Sequence, residues 1–234
     1  FDTFGWFAKD IDTYEKVGRV LIAENGTRAS NGVATKPRLI SLPALDELLA
    51  GPAEATAYGR MRRRVENVLG PVRAAKQPSF GIDELYWATR RLQAQEAWAA
   101  HGQWLSAPGR RVGSAIYERL AFGKTVTPEQ AQTDARLRQA FQTALGELLG
   151  DDGVIVLPTV PCAAPRSTST PEEMGAFREQ AIRLLCWSGL SGFPQISLPL
   201  GSVDGAPFGL SLLGPAGSDL ELITLGRRLL ATGT

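Results

Sequence analysis

The sequence lacks the common motifs that position a serine nucleophile. Many serine hydrolases hold the nucleophile in a Gly-x-Ser-x-Gly turn, and no serine here has glycine both two positions before and two positions after it. The nearest approach, Gly189-Leu190-Ser191-Gly192, fails because Phe193 follows. A Ser-His-Asp triad would need His101, the one histidine, whose neighbours Trp98 and Trp104 favour a surface or packing role on a helix.

The sequence also contains no complete phosphate-binding or metal-binding motif. The one Gly-Lys pair, Gly123-Lys124, has Glu118 where a phosphate-binding P-loop requires glycine. The paired carboxylates Asp151-Asp152 have no third ligand close by, so we expect solvated loop side chains and no metal site. Cys162 and Cys186 form no CxxC motif, and we expect two buried thiols, with a single disulfide as the alternative.

Capping motifs in the sequence predict where three of the helices begin. Thr127-Pro128-Glu129-Gln130 and Thr170-Pro171-Glu172-Glu173 each combine a hydroxyl cap, a proline at the first helical position and Gln or Glu three residues after the cap. Ser218-Asp219-Leu220-Glu221 gives a third start. Apolar spacing predicts further helices over residues 11–22, 55–69 and 82 to about 105.

Strands are predicted in the last third of the chain. Residues 154–157 are a short apolar run, as expected of a strand buried on both faces. Apolar and small residues alternate over 196–200 and 208–212, and the turn signal Asp204-Gly205 between them predicts an antiparallel hairpin. Pro199 donates no ladder hydrogen bond, which argues for an edge, a bulge or an irregular strand there.

Composition narrows the class of protein. The 234 residues are 44% hydrophobic and 21% charged, which is ordinary for one globular domain or part of one. A net charge of +1 gives no support for a nucleic-acid partner. Because no apolar run approaches the ~18 residues of a membrane span and no secretory leader is visible, we expect no membrane span and a cytoplasmic location.

Three segments, taken in order, resemble the amidase signature family. Residues 1–10 (FDTFGWFAKD) are similar to its Asp-Thr-x-Gly block, and residues 157–165 (LPTVPCAAP) resemble the Pro-Thr-x-Pro segment that follows a strand. Residues 189–201 and 207–215, with Asp219, resemble the C-terminal part of the family. The order of the three segments and the spacing between them agree with the family over the whole chain.

The resemblance implies an α/β fold, with a mixed β-sheet covered by helices on both faces and only its C-terminal portion present. Residues 1–234 would then be the C-terminal part of a single domain. Family members carry a catalytic lysine, a bridging serine and a nucleophilic serine in their N-terminal half, before the Asp-Thr-x-Gly block. We therefore expect all three upstream of Phe1 and no catalytic residue in this chain.

The implied activity is hydrolysis of a carboxylic amide C–N bond through a Ser-cisSer-Lys acyl-enzyme mechanism, which needs no cofactor and no metal. The helix segment that contains Trp98, His101 and Trp104 resembles that of amidases that act on small aryl or alkyl amides. Two alternatives stay open. One is a non-catalytic scaffold or binding half-domain, and the other is an amidotransferase A-type subunit that works with partner proteins and tRNA.

The resemblance also implies which residues approach the substrate. The loop after the strand at 154–157 would line the pocket wall, and the following long helix would supply second-rank contacts. Core packing is the alternative for all of these positions, since Cys and Trp are commonly buried. The candidates are Val160, Pro161, Cys162, Cys186 and Trp187. The implied partners are a small-molecule amide and the N-terminal half of the same enzyme, and a homodimer is compatible with them.

Overall fold

The computed structural model describes residues 4–22 and 37–231, which form eight α-helices and five β-strands. In chain order these are α1 (Ile11–Ile22), β1 (Arg38–Ser41), α2 (Pro43–Asp46), α3 (Pro52–Leu69), β2 (Val72–Ala74), α4 (Ile82–Leu105), α5 (Ser114–Ala121), α6 (Pro128–Leu149), β3 (Gly153–Pro158), α7 (Pro171–Ser191), β4 (Gln195–Val203), β5 (Ala206–Leu213) and α8 (Asp219–Ala231).

The five strands form one mixed sheet in the order β2-β1-β3-β5-β4. Strand β1 runs parallel to β2 and β3, whereas β5 runs antiparallel to β3 and β4. The predicted hairpin is confirmed, and its turn uses positive φ at Asp204 (49°) and Gly205 (78°). The β4–β5 register shifts between Leu198 and Gly201, around Pro199, and β4 is an edge strand of the described sheet. Strand β4 is therefore both an edge strand and irregular around Pro199, as its proline predicts.

Helices cover both faces of the sheet, and each face has its own hydrophobic core. Helices α3 and α8 pack on one face, where Met61, Val156 and Leu225 belong to one buried cluster. Helices α2, α4, α6 and α7 pack on the other face, where Phe141 and Trp187 belong to a second cluster. Sheet residues alternate between the two clusters because successive side chains of a strand point to opposite faces. The predicted α/β fold with helices on both faces is confirmed.

The capping boxes confirm the predicted helix starts of α6 and α7. The Thr127 hydroxyl accepts from the backbone N–H of Gln130 at 3.2 Å, and the Gln130 side chain accepts from Thr127 N–H at 3.0 Å. Thr170 and Glu173 make the same reciprocal pair at 3.2 and 2.9 Å. These bonds satisfy backbone donors that the helix itself leaves without a partner. None of the helices within residues 4–22 and 37–231 is long and apolar enough to cross a membrane.

Candidate functional site

A groove of about 1180 Å³ lies beside β4. Its lining comes from residues 4–8 before α1, the end of α7 with the turn after it, the first half of β4, the start of β5 and the first turns of α8. These parts include pieces of all three segments that resemble the amidase signature family. Of the described lining residues, only Arg138 and Asp219 carry a charge, so the groove is largely apolar.

A row of three hydroxyl groups crosses the sheet at this groove. Ser211, which is fully buried on β5, lies with its Oγ 2.8 Å from Thr159 Oγ1 and 3.0 Å from Ser197 Oγ. Thr159 and Ser197 both line the groove. Within the described residues, none of the three hydroxyls forms a hydrogen bond with a lysine or histidine side chain. A serine nucleophile requires such a base, so the row can orient a bound group but lacks an activating partner.

Gln195, at the start of β4, places a hydrogen-bond acceptor at the groove. Its Oε1 is buried and has no partner among the described residues. A buried polar atom without a partner is destabilising, so such atoms are nearly always paired with protein groups or with ordered water. A donor on a bound molecule or on another polypeptide segment would satisfy this atom.

One end of the groove combines titratable and aromatic side chains. Burial raises the pKa of Asp219 above that of an ordinary carboxyl group. Burial, together with the nearby charge of Asp219, raises the pKa of Tyr14. The ring of Trp6 stacks on Tyr14 at 4.7 Å, and its indole N–H donates to the Tyr14 carbonyl at 3.1 Å. This end of the groove therefore has aromatic side chains and one carboxyl group that can accept a hydrogen bond.

The predicted contacts after β3 lie next to the groove lining rather than in it. Thr159 lines the groove, whereas Val160 and half-buried Cys162 follow it outside the lining. Pro161 is buried, and its carbonyl accepts from Ala50 N–H at 2.9 Å. Burial and then the nearby Glu54 charge raise the pKa of the Cys162 thiol. Contact of these residues with substrate stays a prediction.

The two predicted contacts on α7 are core residues in this structure. Cys186 and Trp187 are each only 1% exposed. The Cys186 thiol donates to the Arg183 carbonyl at 3.3 Å, and burial raises its pKa to about 12. The Trp187 ring meets Phe141 edge to face at 5.3 Å. Leu185, Ser188 and Gly189 line the groove instead, because neighbouring helical residues point in different directions.

The remaining sequence candidates lie away from the groove. His101 is exposed on α4, and Asp152 is an exposed partner of Arg38 at 3.2 Å. Both Cys162 and Cys186 are free thiols, although only Cys186 is fully buried. No cluster of His, Cys, Asp and Glu suited to a metal ion occurs in the described ranges 4–22 and 37–231.

Three curated relatives align with almost the whole chain. Amidase 1 of Arabidopsis thaliana is 31% identical over 250 residues, covering 96% of this chain and 59% of that protein. Amidase 1 of Oryza sativa subsp. japonica is 28% identical, covering 99% of this chain and 58% of that protein. The chloroplastic Outer envelope protein 64 of Arabidopsis thaliana is 26% identical, covering 95% and 41%. No protein-family model matches the sequence.

Solved structures share the fold. The crystal structure of an amidase superposes with a TM-score of 0.79 at 23% identity and covers 97% of this chain and 52% of that one. A bacterial aryl acylamidase of the amidase signature family superposes with a TM-score of 0.63 at 15% identity, covering 85% and 44%. The chain spans about half the length of the amidases it matches. By these relatives and this fold, the chain is related to the amidase signature family over the C-terminal portion.

Proposed function

We propose that residues 1–234 are the C-terminal part of a single amidase domain that hydrolyses a carboxylic amide to the acid and ammonia or an amine. The observation that carries this proposal is the groove beside β4. Residues 4–8, Thr159, the stretch after α7 and Asp219 are far apart in sequence, and all of them line it. These are pieces of the segments that resemble the amidases. Similarity to two proteins named Amidase 1 supports the same activity.

The catalytic lysine and both serines are assigned to an N-terminal portion of the enzyme. The hydroxyl row at the groove has no basic partner among the described residues, which supports this assignment. In the proposed Ser-cisSer-Lys mechanism, a neutral lysine takes the proton of the nucleophilic serine through the bridging serine. Burial would keep that lysine neutral, and backbone N–H groups would stabilise the oxyanion until water cleaves the acyl-enzyme.

This chain would supply part of the acyl pocket and a surface for the N-terminal half. The row of Thr159, Ser197 and Ser211, with Gln195, offers hydrogen bonds at an otherwise apolar groove. Val160, Pro161 and Cys162 remain the proposed pocket-wall positions, and Cys186 and Trp187, each 1% exposed in the core, remain second-rank candidates. The proposal includes a small-molecule amide as substrate and a cytoplasmic enzyme, and it is compatible with a homodimer.

Labelling with a serine-reactive fluorophosphonate tests the assignment of the nucleophile. The complete protein should hydrolyse small aryl or alkyl amides and take up the label, and peptide mapping should find the labelled serine outside these 234 residues. Labelling of a serine within residues 1–234 would contradict the assignment. A protein that is neither labelled nor active on a panel of such amides would contradict the amidase proposal.

A non-catalytic scaffold is the second candidate function. One observation favours it: the described residues contain no hydroxyl paired with a basic side chain at the groove. The chloroplastic Outer envelope protein 64, a relative that is not named as an amidase, is 26% identical over 95% of the chain. Failure of both labelling and hydrolysis would favour this reading. An amidotransferase A-type subunit gains no support from the net charge of +1.

Residues 1–234 expressed alone are expected to be poorly soluble or to self-associate. Strand β4 is nine residues long and is an edge of the described sheet, and it borders an apolar groove. An open strand edge beside apolar surface favours association with other chains. Light scattering and analytical ultracentrifugation measure the association. A soluble monomer with a sharp cooperative thermal transition would contradict this expectation.

Replacing Cys162 by tryptophan tests the proposed pocket wall. If Cys162 faces the acyl group, Cys162→Trp should impair turnover of small amides by the complete enzyme and leave Tm nearly unchanged. The matched control is Ala164→Trp, because Ala164 is exposed on the same loop. Equal kinetic constants for Cys162→Trp and the unaltered enzyme would contradict the proposal that Cys162 contacts the acyl group.

A further inference from the structure

One hydrogen-bond acceptor at the groove has no donor among the described residues. Four buried side-chain atoms lack a hydrogen-bond partner in the described ranges: Asp46 Oδ1, Trp187 Nε1, Gln195 Oε1 and Ser218 Oγ. Of these four residues, only Gln195 lines the groove. A buried acceptor that has lost its bonds to water and gained no donor is destabilising. Among the described residues that line the groove, Gln195 is therefore the one whose side chain requires a donor from outside them.

The register of β4 places Gln195 beside the hydroxyl row. Gln195 and Ser197 are two residues apart on the strand, so their side chains leave the same face about 7 Å apart. Their partners on β5 are Leu213 and Ser211, respectively. Ser211 joins Ser197 to Thr159, the residue that begins the loop of the proposed pocket wall. Gln195 therefore lies on the same wall of the groove as the hydroxyl row, next to the proposed acyl pocket.

The side-chain donors of the chain near the start of β4 already serve other acceptors. The Ser188 hydroxyl donates to the Phe193 carbonyl at 2.8 Å, and the Arg138 Nε donates to the Leu190 carbonyl at 3.0 Å. Both Ser188 and Arg138 line the groove, and neither donates to Gln195 Oε1. The groove is otherwise largely apolar. A molecule that fills it and satisfies this acceptor therefore needs an apolar body with one N–H or O–H donor.

We propose that Gln195 determines the acyl specificity of the proposed amidase by accepting a hydrogen bond from an N–H or O–H group on the acyl part of the substrate. The substrate class is then an amide whose acyl group is apolar except for one such donor. This inference rests on the proposed function. A site with a buried polar group rejects an analogue that lacks the matching donor, because the analogue leaves that group unpaired.

Matched amides tested with the complete enzyme measure this preference. Phenylacetamides with a meta or para hydroxyl group carry an O–H donor, whereas their methoxy analogues keep the oxygen but have no donor. In the unaltered enzyme, kcat/KM for at least one hydroxylated amide should exceed that for its methoxy analogue. The expected ratio is about tenfold, which corresponds to one hydrogen bond of about 1.4 kcal/mol.

Variants of Gln195 separate the hydrogen bond from the size of the amide. Methionine has nearly the shape of glutamine and only a weak acceptor, so Gln195→Met should lower the ratio of the two kcat/KM values by about tenfold. Gln195→Glu keeps an oxygen acceptor and should retain the preference, which keeps the test valid if Gln195→Met does not fold. The matched control is Gln132→Met on α6, an exposed residue outside the groove, which should keep the ratio of the unaltered enzyme.

Three results would overturn the role of Gln195 and leave the amidase proposal standing. One is an equal kcat/KM for every hydroxylated amide and its methoxy analogue. Another is a ratio that Gln195→Met does not change, which would assign recognition of the donor to another residue. The third is a fall of kcat/KM by the same factor for all amides together with a lower Tm, which would show that Gln195 only stabilises the protein. If the complete protein hydrolyses no amide, both the amidase proposal and this inference fail.

Discussion

Replacing Arg91 by alanine is expected to lower the free energy of unfolding by about 3–5 kcal/mol, because it leaves a buried carboxylate without its partner. Arg91 on α4 binds Asp134 on α6 with two bonds, Nε to Oδ2 at 2.6 Å and Nη2 to Oδ1 at 2.7 Å. The Asp134 side chain is only 4% exposed. Because the Arg91 side chain is only 29% exposed, water entering the space that it leaves would solvate the carboxylate only in part.

Urea titrations of matched variants measure this loss. The double replacement Arg91→Met with Asp134→Leu should recover most of the stability, since it removes both charges and fills the space with apolar atoms. Arg19→Ala is the control, because the Arg19–Glu15 pair joins two residues of α1 and the arginine is 63% exposed. That change should cost less than about 1 kcal/mol. A loss below about 1 kcal/mol for Arg91→Ala would contradict a buried, paired role for Asp134.

The large elements of the fold could be predicted because local chemistry determines them. Helices α6 and α7 begin at capping boxes that the sequence displays, and the β4–β5 turn needs residues that accept positive φ, which Asp204 and Gly205 do. The short elements carry too little local signal. Strand β1 has four residues and β2 has three, and α5 buries none of its described residues, so it lacks a full apolar stripe.

The site was harder to predict because side-chain direction depends on register. The resemblance points to the chain after β3, and Thr159 in that stretch does line the groove. Which residue faces the groove depends on the exact end of the strand, and a shift of one residue reverses the side-chain face. The sequence does not identify Ser211 and Ser197 as site residues, although they are small polar residues at paired positions of two otherwise apolar strands. Gln195 Oε1 has no partner among the described residues, so the sequence alone could not indicate its role.

Ser211 should matter for activity as well as for stability. Its buried hydroxyl joins Thr159 to Ser197, and these two residues line the groove. Ser211→Ala breaks both bonds and should lower the free energy of unfolding by about 1–3 kcal/mol. On the proposed function, it should also lower kcat/KM for amide hydrolysis by about tenfold, because a positioned hydroxyl loses its orientation at the groove.

The control for Ser211→Ala is Thr143→Ala, an exposed hydroxyl on α6 that donates to the Gln139 carbonyl at 3.1 Å. The control should change neither kcat/KM nor Tm appreciably. Separate kcat and KM values for two amides that differ in acyl group distinguish the roles of the row. A change in KM that depends on the acyl group would mean that the row orients the substrate. Loss of stability with unchanged kinetic constants would mean that the hydroxyl row only stabilises the packing of strands β3, β4 and β5.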